Sequence, residues 1–277
     1  MKRAVTVQDI SCFGKCSVTV ALPLISAMGI ECAVIPTAVL STHTGGFKGY
    51  TFRDLSADIP AITEHWKREG LAFDGLYTGY LGSPTQAEMI ERFIADFMPP
   101  LVFVDPVMGD NGRLYAGFDD TIVEAMRHLC SKADVIVPNM TEASLMLGKP
   151  FRRPGEYDEA YIHELLTELA ELGARTTALT GINYDGKHQG VVGYDSTSKT
   201  FTEYFSDDLP VQCHGTGDVF SSVFFGALLR GRELREAMKI AVDNTVNCIR
   251  HTMGDAEHWY GVKFEECIPE LVRALGD

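Results

Sequence analysis

The feature that most constrains the fold is a regular alternation between short β-rich runs and longer segments with helical spacing. The predicted strands cover residues 4–8, 32–39, 75–80, 101–105, 134–138 and 176–181. The predicted helices between them cover residues 18–29, 61–70, 84–98, 121–130, 141–148 and 161–173. Hydrophobic strands that are each followed by a helix are typical of an α/β fold, in which a mainly parallel sheet carries helices on both faces.

The pattern changes after Gly190, where the runs VVGYD and TFTEYF flank the polar segment DSTSKT. This arrangement predicts a late antiparallel hairpin. Three further helices, over residues 217–230, 233–252 and 264–275, are predicted to close the chain. Because no linker rich in Pro, Ser or Gly separates these parts, we predict one domain over residues 1–277.

Charge and composition argue against several classes of partner. The chain has 38 acidic and 24 basic residues, so its net charge of -14 disfavours nucleic acid or an anionic membrane surface. The N-terminal apolar run is too short for a signal peptide, and no stretch approaches the roughly 20 apolar residues of a membrane span. Seven scattered cysteines suit reduced thiols in a cytoplasm. Cys12 and Cys16 lack a matching second pair and do not indicate a zinc site.

Polar residues follow the predicted strands at the points where each strand ends. In a parallel sheet, ligands bind beyond the carboxyl ends of the strands, an edge that we call the rim. Asp105 ends one predicted strand, Asn139 and Glu142 follow the next, and Thr180 with Gly181 ends another. We therefore expect these residues to lie on one rim.

The segment HGTGD at 214–218 precedes an unbroken apolar run, which indicates a glycine-rich loop that leads into a buried helix. The free N–H groups at such a helix start favour an anion. If that anion is a transferring phosphoryl group, Asp218 is placed to accept a proton from the attacking hydroxyl. The alternative is that Thr216 and Asp218 merely cap the helix.

The acidic residues of the rim allow two interpretations. Asp105 and Glu142 together with Asn139 would suit Mg²⁺, which prefers oxygen ligands and bridges phosphates. Taken alone, Asp105 after a strand is more typical of a cap or a turn, and Glu142 at a helix start is more typical of a residue that favours the helix dipole. The glycines at 45–46 lack the spacing of a phosphate-binding P-loop and predict a mobile loop beside the substrate. His43 at the edge of that loop is either a pocket donor or an ordinary loop residue.

Six motifs along nearly the whole chain carry a family resemblance: VQDISCFGK near the start, STHTGG at 41–46, TGYLGS at 78–83, VDPVMGDNGRLY at 104–115, VPNMTEA at 137–143 and HGTGDVFSS at 214–222. Through them the chain resembles the ribokinase-like superfamily and, within it, the pyridoxal/pyridoxamine kinases of vitamin B6 salvage. GTGD is shared across the superfamily, whereas STHTG, GYLGS and DPVMGD in that order are more specific to B6 kinases.

The resemblance implies a three-layer α/β/α ribokinase-like fold, transfer of phosphate from MgATP to the 5′-hydroxyl of a B6 vitamer, and a homodimer. Some relatives also need a monovalent cation such as K⁺. By position, Asp218 matches the catalytic base, and the anion hole is matched by Gly215, Thr216 and Gly217. The nucleotide side is matched by Asp105, Asn139, Glu142, Thr180 and Gly181, with Asp105 and Glu142 at the metal. The predicted vitamer pocket contains Asp9, Ser11, His43 and Tyr80.

Two departures from the family pattern leave alternatives open. Gln8 is followed by Asp9, where the family usually has a serine, and the segment between Gly14 and Pro23 is slightly shortened. If Asp9 faces the ring, it could pair with the cationic 4-aminomethyl group of pyridoxamine. His214 makes HGTG similar to the hydroxymethylpyrimidine kinases of thiamine synthesis, which usually carry a cysteine at the position of Asp218. That activity and a vitamer-binding protein without turnover are the alternatives to a B6 kinase.

Overall fold

The structure, a computed structural model, describes residues 1–276. Its strands are β1 (Arg3–Ser11), β2 (Glu31–Leu40), β3 (Phe52–Asp54), β4 (Gly75–Thr78), β5 (Leu101–Val104), β6 (Gly109–Asp110), β7 (Arg113–Leu114), β8 (Val135–Ile136), β9 (Thr176–Ile182), β10 (His188–Asp195) and β11 (Thr200–Asp207). Its α-helices are α1 (Val18–Ala27), α2 (Ile59–Arg68), α3 (Pro84–Phe97), α4 (Asp120–Cys130), α5 (Met140–Leu147), α6 (Glu159–Ala170), α7 (Thr216–Leu229), α8 (Leu234–Thr252) and α9 (Phe264–Ala274).

Nine strands form one mixed sheet in the order β11-β10-β9-β8-β5-β4-β1-β2-β3. The pairs from β9 through to β2 are parallel, whereas β3, β10 and β11 pair antiparallel at the two edges. The carboxyl ends of β1, β4, β5 and β8 therefore meet at the rim. The chain order reverses between β4 and β1, which creates a crevice at the place where such sheets bind ligands.

Alternation along the strands explains why helices cover both faces of the sheet. Tyr77 and Phe103 point to a hydrophobic cluster formed with α1, α7, α8 and α9. Leu76 and Val102 precede them on the same strands and point to a second cluster formed with α2 to α6. Successive side chains of a strand face opposite sides of the sheet, so hydrophobic strands of this kind are buried on both faces. The predicted three-layer α/β/α fold is confirmed.

The predicted late hairpin is also confirmed, since β10 and β11 pair antiparallel from His188 with Asp207 to Asp195 with Thr200. Several boundaries differ from the predictions. β5 ends at Val104, so Asp105 is the first residue after the strand. β8 keeps only Val135–Ile136, and β9 continues to Ile182, which places Thr180 and Gly181 inside a strand.

Two short strand pairings were not predicted from the sequence. β3 is exposed and has no apolar alternation, because it consists of Phe52, Arg53 and Asp54. β6 and β7 form a separate hairpin whose turn residues, Asn111 and Gly112, have φ angles of 52° and 77°. Asn-Gly is a strong signal for such a turn. The two-residue strands on either side of it carry no detectable periodicity.

Within residues 1–276, no helix has both the length and the apolar character needed to cross a bilayer.

The packing of Phe103 predicts a large effect of truncation. Its ring is fully buried and lies 5.4 to 5.7 Å, centroid to centroid, from the rings of Tyr77, Phe224 and Phe225. We expect Phe103→Ala to lower the free energy of unfolding by about 3–5 kcal/mol, because it leaves a cavity between sheet and helix. Urea unfolding measures this change. Phe52→Ala, at a ring that is 51% exposed, is the control and should stay within about 0.5 kcal/mol of wild type.

Candidate active site

The start of α7 presents free backbone donors at the rim. Gly215 is the N-cap residue, and the side chains of Thr216 and Asp218 make no capping hydrogen bond. Val219 N–H donates to Gly215 O at 3.0 Å. Among the described residues, no backbone acceptor pairs with the N–H groups of Thr216, Gly217 and Asp218. The capping interpretation of Thr216 and Asp218 is therefore wrong, and the helix start has the unpaired donors that an anion needs.

Both the backbone conformation of Gly215 and the space around its α-carbon disfavour any residue with a side chain at this position. Its φ is +77°, and a β-carbon added there would lie 1.8 Å from the carbonyl oxygen of Lys15. Only glycine adopts such a backbone at little cost. The loop that follows β1 thus packs directly against the loop that precedes α7.

This packing brings Cys16 and Ser17 to Asp218. The Ser17 N–H and the Cys16 thiol lie beside the Asp218 carboxylate and stabilise its charge. Burial nevertheless raises the pKa of Asp218 to about 7, and the negative charge of Asp9 contributes to the rise. A carboxylate with a pKa near neutrality is suited to accept a proton at physiological pH.

Asp9 is itself buried near the end of β1, with 5% of its surface exposed. Its Oδ2 accepts the Ser11 hydroxyl at 2.8 Å, and its Oδ1 accepts the Ser17 hydroxyl at 2.5 Å. Burial raises the pKa of Asp9, although both hydroxyl groups oppose the rise. Ser17 thereby connects two carboxylates, since its hydroxyl contacts Asp9 and its N–H lies at Asp218.

Asp105 and Glu142 form a second acidic pair at the rim. Ser221 Oγ of α7 donates to Asp105 Oδ2 at 2.7 Å. Burial raises the pKa of Asp105 to about 8, and the charge of Asp218 adds to the rise. Burial and the neighbouring Asp105 also raise the pKa of Glu142. Two buried carboxyl groups that disfavour each other's charge fit a site for a divalent cation.

Glu142 and Asn139 also have a structural role at the start of α5. They form a capping box, in which Glu142 N–H donates to Asn139 Oδ1 at 3.0 Å and Asn139 N–H donates to Glu142 Oε2 at 2.9 Å. Met108 N–H donates to Glu142 Oε1 at 3.1 Å. The interpretation of Glu142 as a residue that stabilises the start of a helix is therefore correct. Each carboxylate oxygen has a second lone pair, so a cap is compatible with a ligand on the same group.

Thr180 and Gly181 reach the same rim from β9. Asn139 and Thr180 form an isolated parallel bridge, and Thr180 N–H donates to Pro138 O at 3.0 Å. Gly181 follows with a φ of +73° and is exposed. The two residues therefore stand next to Asn139, on the far side of Asp105 from Asp9.

His43 has both ring nitrogens bound to the backbone. Its Nε2 lies 2.7 Å from Tyr260 O, and its Nδ1 accepts the Gly45 N–H at 3.1 Å. Since an imidazole nitrogen that accepts a hydrogen bond carries no proton, Nε2 is the donor to Tyr260 and the ring is neutral. Burial lowers the pKa of His43, consistent with this assignment. In this conformation His43 orders its loop and has no ring N–H left for a ligand.

Tyr80 stands just beyond β4. Its ring stacks on Phe118 with centroids 5.6 Å apart and an interplanar angle of 18°. Burial raises the pKa of Tyr80 to about 12, and the charge of Asp9 adds to the rise. The Tyr80 hydroxyl is therefore uncharged at neutral pH, and the Tyr80 side chain lies close enough to Asp9 to be affected by its charge.

The contributions of Cys16, Ser17 and Tyr260 to the site were not predicted from the sequence. Ser17 has an uncommon positive φ of 54°, and nothing in its residue type indicates this. Tyr260 acts through its backbone carbonyl oxygen, which accepts hydrogen bonds from His43 Nε2 and from the Lys15 N–H. The nearby rings of Phe47 and Trp259 lie 4.5 Å apart, so the 41–49 loop rests on this late segment.

Comparison with known proteins identifies relatives over nearly the whole chain. Residues 21–261 match the family model for phosphomethylpyrimidine kinase. The pyridoxine/pyridoxal/pyridoxamine kinase of Bordetella bronchiseptica is 28% identical over 260 residues, which cover 90% of this chain and 88% of that protein.

Two solved structures are more similar still. A candidate phosphomethylpyrimidine kinase from Bacteroides thetaiotaomicron, in an orthorhombic form with pyridoxal, is 37% identical with a TM-score of 0.92, and the match covers 98% of this chain and 95% of that one. The pyridoxal kinase of Lactobacillus plantarum is 31% identical with a TM-score of 0.91, and the match covers 99% and 97%.

The close approach at Gly215 predicts that substitution by alanine destabilises the protein more at Gly215 than at Gly186, although the two glycines have similar φ angles. Gly186 has a φ of +71° and free space around its α-carbon, so Gly186→Ala should cost only about 1–2 kcal/mol of backbone strain. Gly215→Ala adds a collision with Lys15 O to the same strain. We expect a clearly larger loss of unfolding free energy for Gly215→Ala in urea titrations. Equal losses would show that the two loops separate without cost.

The buried carboxyl groups predict that one substitution stabilises the protein at alkaline pH. The pKa of Asp105 is raised in the folded state from 3.8 to about 8. Folding is therefore favoured when Asp105 is protonated, and this contribution is lost as pH rises from about 4 through about 8. We expect Asp105→Asn to raise Tm by a few degrees at pH 9 and to have little effect at pH 4. Thermal unfolding at both pH values tests this.

Asp119 is the control for that measurement, because hydrogen bonds from Thr121 lower the pKa of its carboxyl. Its charge is favoured in the folded state, so Asp119→Asn should not stabilise the protein at pH 9. An Asp105→Asn variant that melts below wild type at pH 9 would contradict the raised pKa.

Proposed function

Because the chain belongs to the phosphomethylpyrimidine kinase family, we propose that it transfers the γ-phosphoryl group of ATP to the 5′-hydroxymethyl group of a B6 vitamer. Relatives that are named as kinases of pyridoxine, pyridoxal and pyridoxamine support this substrate class, as does the Bacteroides structure with pyridoxal. The observation that carries the proposal is the position of Asp218. Asp218 lies in the first turn of α7, where the N–H groups are unpaired, and its carboxylate has a pKa of about 7.

Asp218 takes the role of general base. The deprotonated form is abundant above about pH 7, and it removes the proton of the 5′-hydroxyl as the oxygen attacks phosphorus. The Ser17 N–H and the Cys16 thiol keep the carboxylate in position. Because phosphoryl transfer depends mainly on positioning and charge, a single well-placed base is sufficient.

The backbone of Gly215, Thr216 and Gly217 forms the anion hole. Its donors point along the α7 axis, where the helix dipole also favours negative charge. They stabilise the charge on the equatorial oxygens of the moving phosphoryl group. The packing of Gly215 on Lys15 fixes the donors before substrate binds, so no energy is spent on ordering them.

The nucleotide side of the rim contains Asp105, Asn139, Glu142, Thr180 and Gly181. Asp105 and Glu142 would hold Mg²⁺, since both are buried carboxyl groups whose ionisation a cation would favour. Held there, Mg²⁺ would supply positive charge that offsets part of the negative charge of the phosphates. A monovalent cation such as K⁺ is part of the proposal, and comparison of activity in K⁺ and in Na⁺ tests it.

The vitamer pocket is assigned to Asp9, Ser11, His43 and Tyr80. Tyr80 offers a ring face, while Asp9 and Ser11 offer polar groups beside Asp218. His43 contributes by holding the 41–49 loop, because its nitrogens are bound to Gly45 and Tyr260. We also propose one domain over residues 1–277, a homodimer and a cytoplasmic location. The single nine-stranded sheet, with strands from both halves of the chain, supports the domain assignment.

Phosphorylation of hydroxymethylpyrimidine is the second candidate function. The family model and the Bacteroides relative carry the name of that activity. Asp218 argues against it, since the hydroxymethylpyrimidine kinases usually have a cysteine there. A vitamer-binding protein without turnover would have no need of a base beside an anion hole.

The decisive experiment measures ADP release from purified protein with MgATP and, in parallel, pyridoxamine, pyridoxal, pyridoxine and hydroxymethylpyrimidine. We expect turnover with B6 vitamers and a much lower kcat/KM with the pyrimidine. Turnover with hydroxymethylpyrimidine alone would establish the second candidate. Tight vitamer binding without ADP release would establish the binding protein.

Removal of the base should separate chemistry from binding. We expect Asp218→Asn to lower kcat by about 10²–10⁴-fold, while KM for ATP changes little. Asp120→Asn removes an exposed carboxylate at the start of α4, outside the motifs and site residues named above, and is the control, with kcat close to wild type. A near-normal kcat for Asp218→Asn would exclude Asp218 as the base.

A further inference from the structure

Asp9 is a buried carboxylate without a cationic partner. Among residues 1–276, no Lys, Arg or His side chain forms an ion pair with it, and its contacts are the hydroxyl groups of Ser11 and Ser17. A positive charge on His43 would favour the ionised form of Asp9. The His43 ring is neutral, however, because Nδ1 accepts the Gly45 N–H. A buried charge that is hydrogen-bonded but not neutralised is costly. A cationic ligand would offset that cost.

The position of Asp9 relative to Asp218 identifies the part of the ligand that it faces. Ser17 joins the two, with its hydroxyl on Asp9 at 2.5 Å and its N–H at the Asp218 carboxylate. In a B6 vitamer the 5′-hydroxymethyl group is attached to C5, and the variable substituent is attached to the adjacent C4. The ring nitrogen lies opposite C4. With the 5′-hydroxyl at Asp218, the group nearest to a neighbouring carboxylate is the 4-substituent and not the ring nitrogen.

The three vitamers differ only in that substituent. Pyridoxamine carries an aminomethyl group that is an ammonium ion at neutral pH, pyridoxine carries a neutral hydroxymethyl group, and pyridoxal carries an aldehyde. Only the ammonium neutralises a carboxylate. The aldehyde oxygen, an acceptor without a proton, would be repelled by it.

We infer that Asp9 is a specificity-determining residue that selects vitamers with a positive charge on the 4-substituent, so that pyridoxamine is the preferred substrate. This inference rests on the proposed function and names its substrate more narrowly. The Ser11 and Ser17 hydroxyls hold the carboxylate in place before the vitamer binds, which reduces the entropy lost on binding.

The test compares kcat/KM for pyridoxamine and for pyridoxine in wild type and Asp9→Asn. We expect the preference for pyridoxamine to fall about tenfold to a hundredfold in Asp9→Asn, as is usual for a lost hydrogen bond to a charged group. The ratio cancels any change in Asp218 that affects both vitamers equally. Dissociation constants measured by calorimetry without ATP should show the same shift, independently of turnover.

Two further variants complete the design. Asp9→Ser provides a second neutral side chain if Asp9→Asn folds poorly, and it should lose the preference as well. Asp120→Asn removes one exposed negative charge at the start of α4 without touching Asp9 and should keep the wild-type ratio.

The outcomes separate this inference from the proposed function. An unchanged ratio in both Asp9 variants, with ADP still released, overturns the role of Asp9 alone. An equal loss for pyridoxamine and pyridoxine overturns it too, because it would place Asp9 at the shared ring. Wild-type protein that phosphorylates no vitamer overturns the proposed function itself.

Discussion

The contact between the Gly215 backbone and the carbonyl oxygen of Lys15 is the constraint on which the candidate site depends. It fixes the loop after β1 against the start of α7, elements that lie far apart in the chain. Cys16 and Ser17 follow Lys15 directly, so the same contact sets their distance from Asp218. Through the Ser17 hydroxyl it also sets the position of Asp9. One backbone approach thus determines how two carboxylates are arranged around the unpaired N–H groups at the start of α7.

The arrangement concentrates like charge where water is scarce. Burial raises the pKa of Asp9, Asp105, Glu142 and Asp218, and three of these groups are affected by the charge of another member. Such a cluster opposes folding at neutral pH. Two hydrophobic clusters, one on each face of the sheet, stabilise the fold and offset the cost of burying these carboxyl groups. The chain retains a destabilising set of groups because their raised pKa values and unneutralised charges suit proton transfer and cation binding.

Much of this was predictable from the sequence. Hydrophobic periodicity identified the parallel strands, and the rule that ligands bind at strand ends brought Asp105, Asn139 and Asp218 together without a structure. β3 and the β6–β7 hairpin were missed because strands of two or three residues contain too few positions to show alternation. Tyr260 could not be found, since it acts through a backbone carbonyl that every residue possesses. Ser17 could not be found either, because its contact with Asp218 is made by its backbone N–H, and its hydroxyl reaches Asp9 only once the loop after β1 is folded. Whether Asp218 capped its helix depended on the φ of Gly215, which composition does not reveal.

The segment at 258–261 bears on the order in which the molecule can be assembled. Tyr260 O accepts hydrogen bonds from the His43 ring and the Lys15 N–H, while Trp259 packs on Phe47 of the 41–49 loop. During synthesis the central parallel strands leave the ribosome long before this segment. Until this segment is synthesised, the loops that follow β1 and β2 lack these contacts with Trp259 and Tyr260. The same segment leads directly into α9, which completes one of the two hydrophobic clusters. The loops of the candidate site and that cluster therefore acquire these contacts at the same step, after all the strands of the sheet have been synthesised.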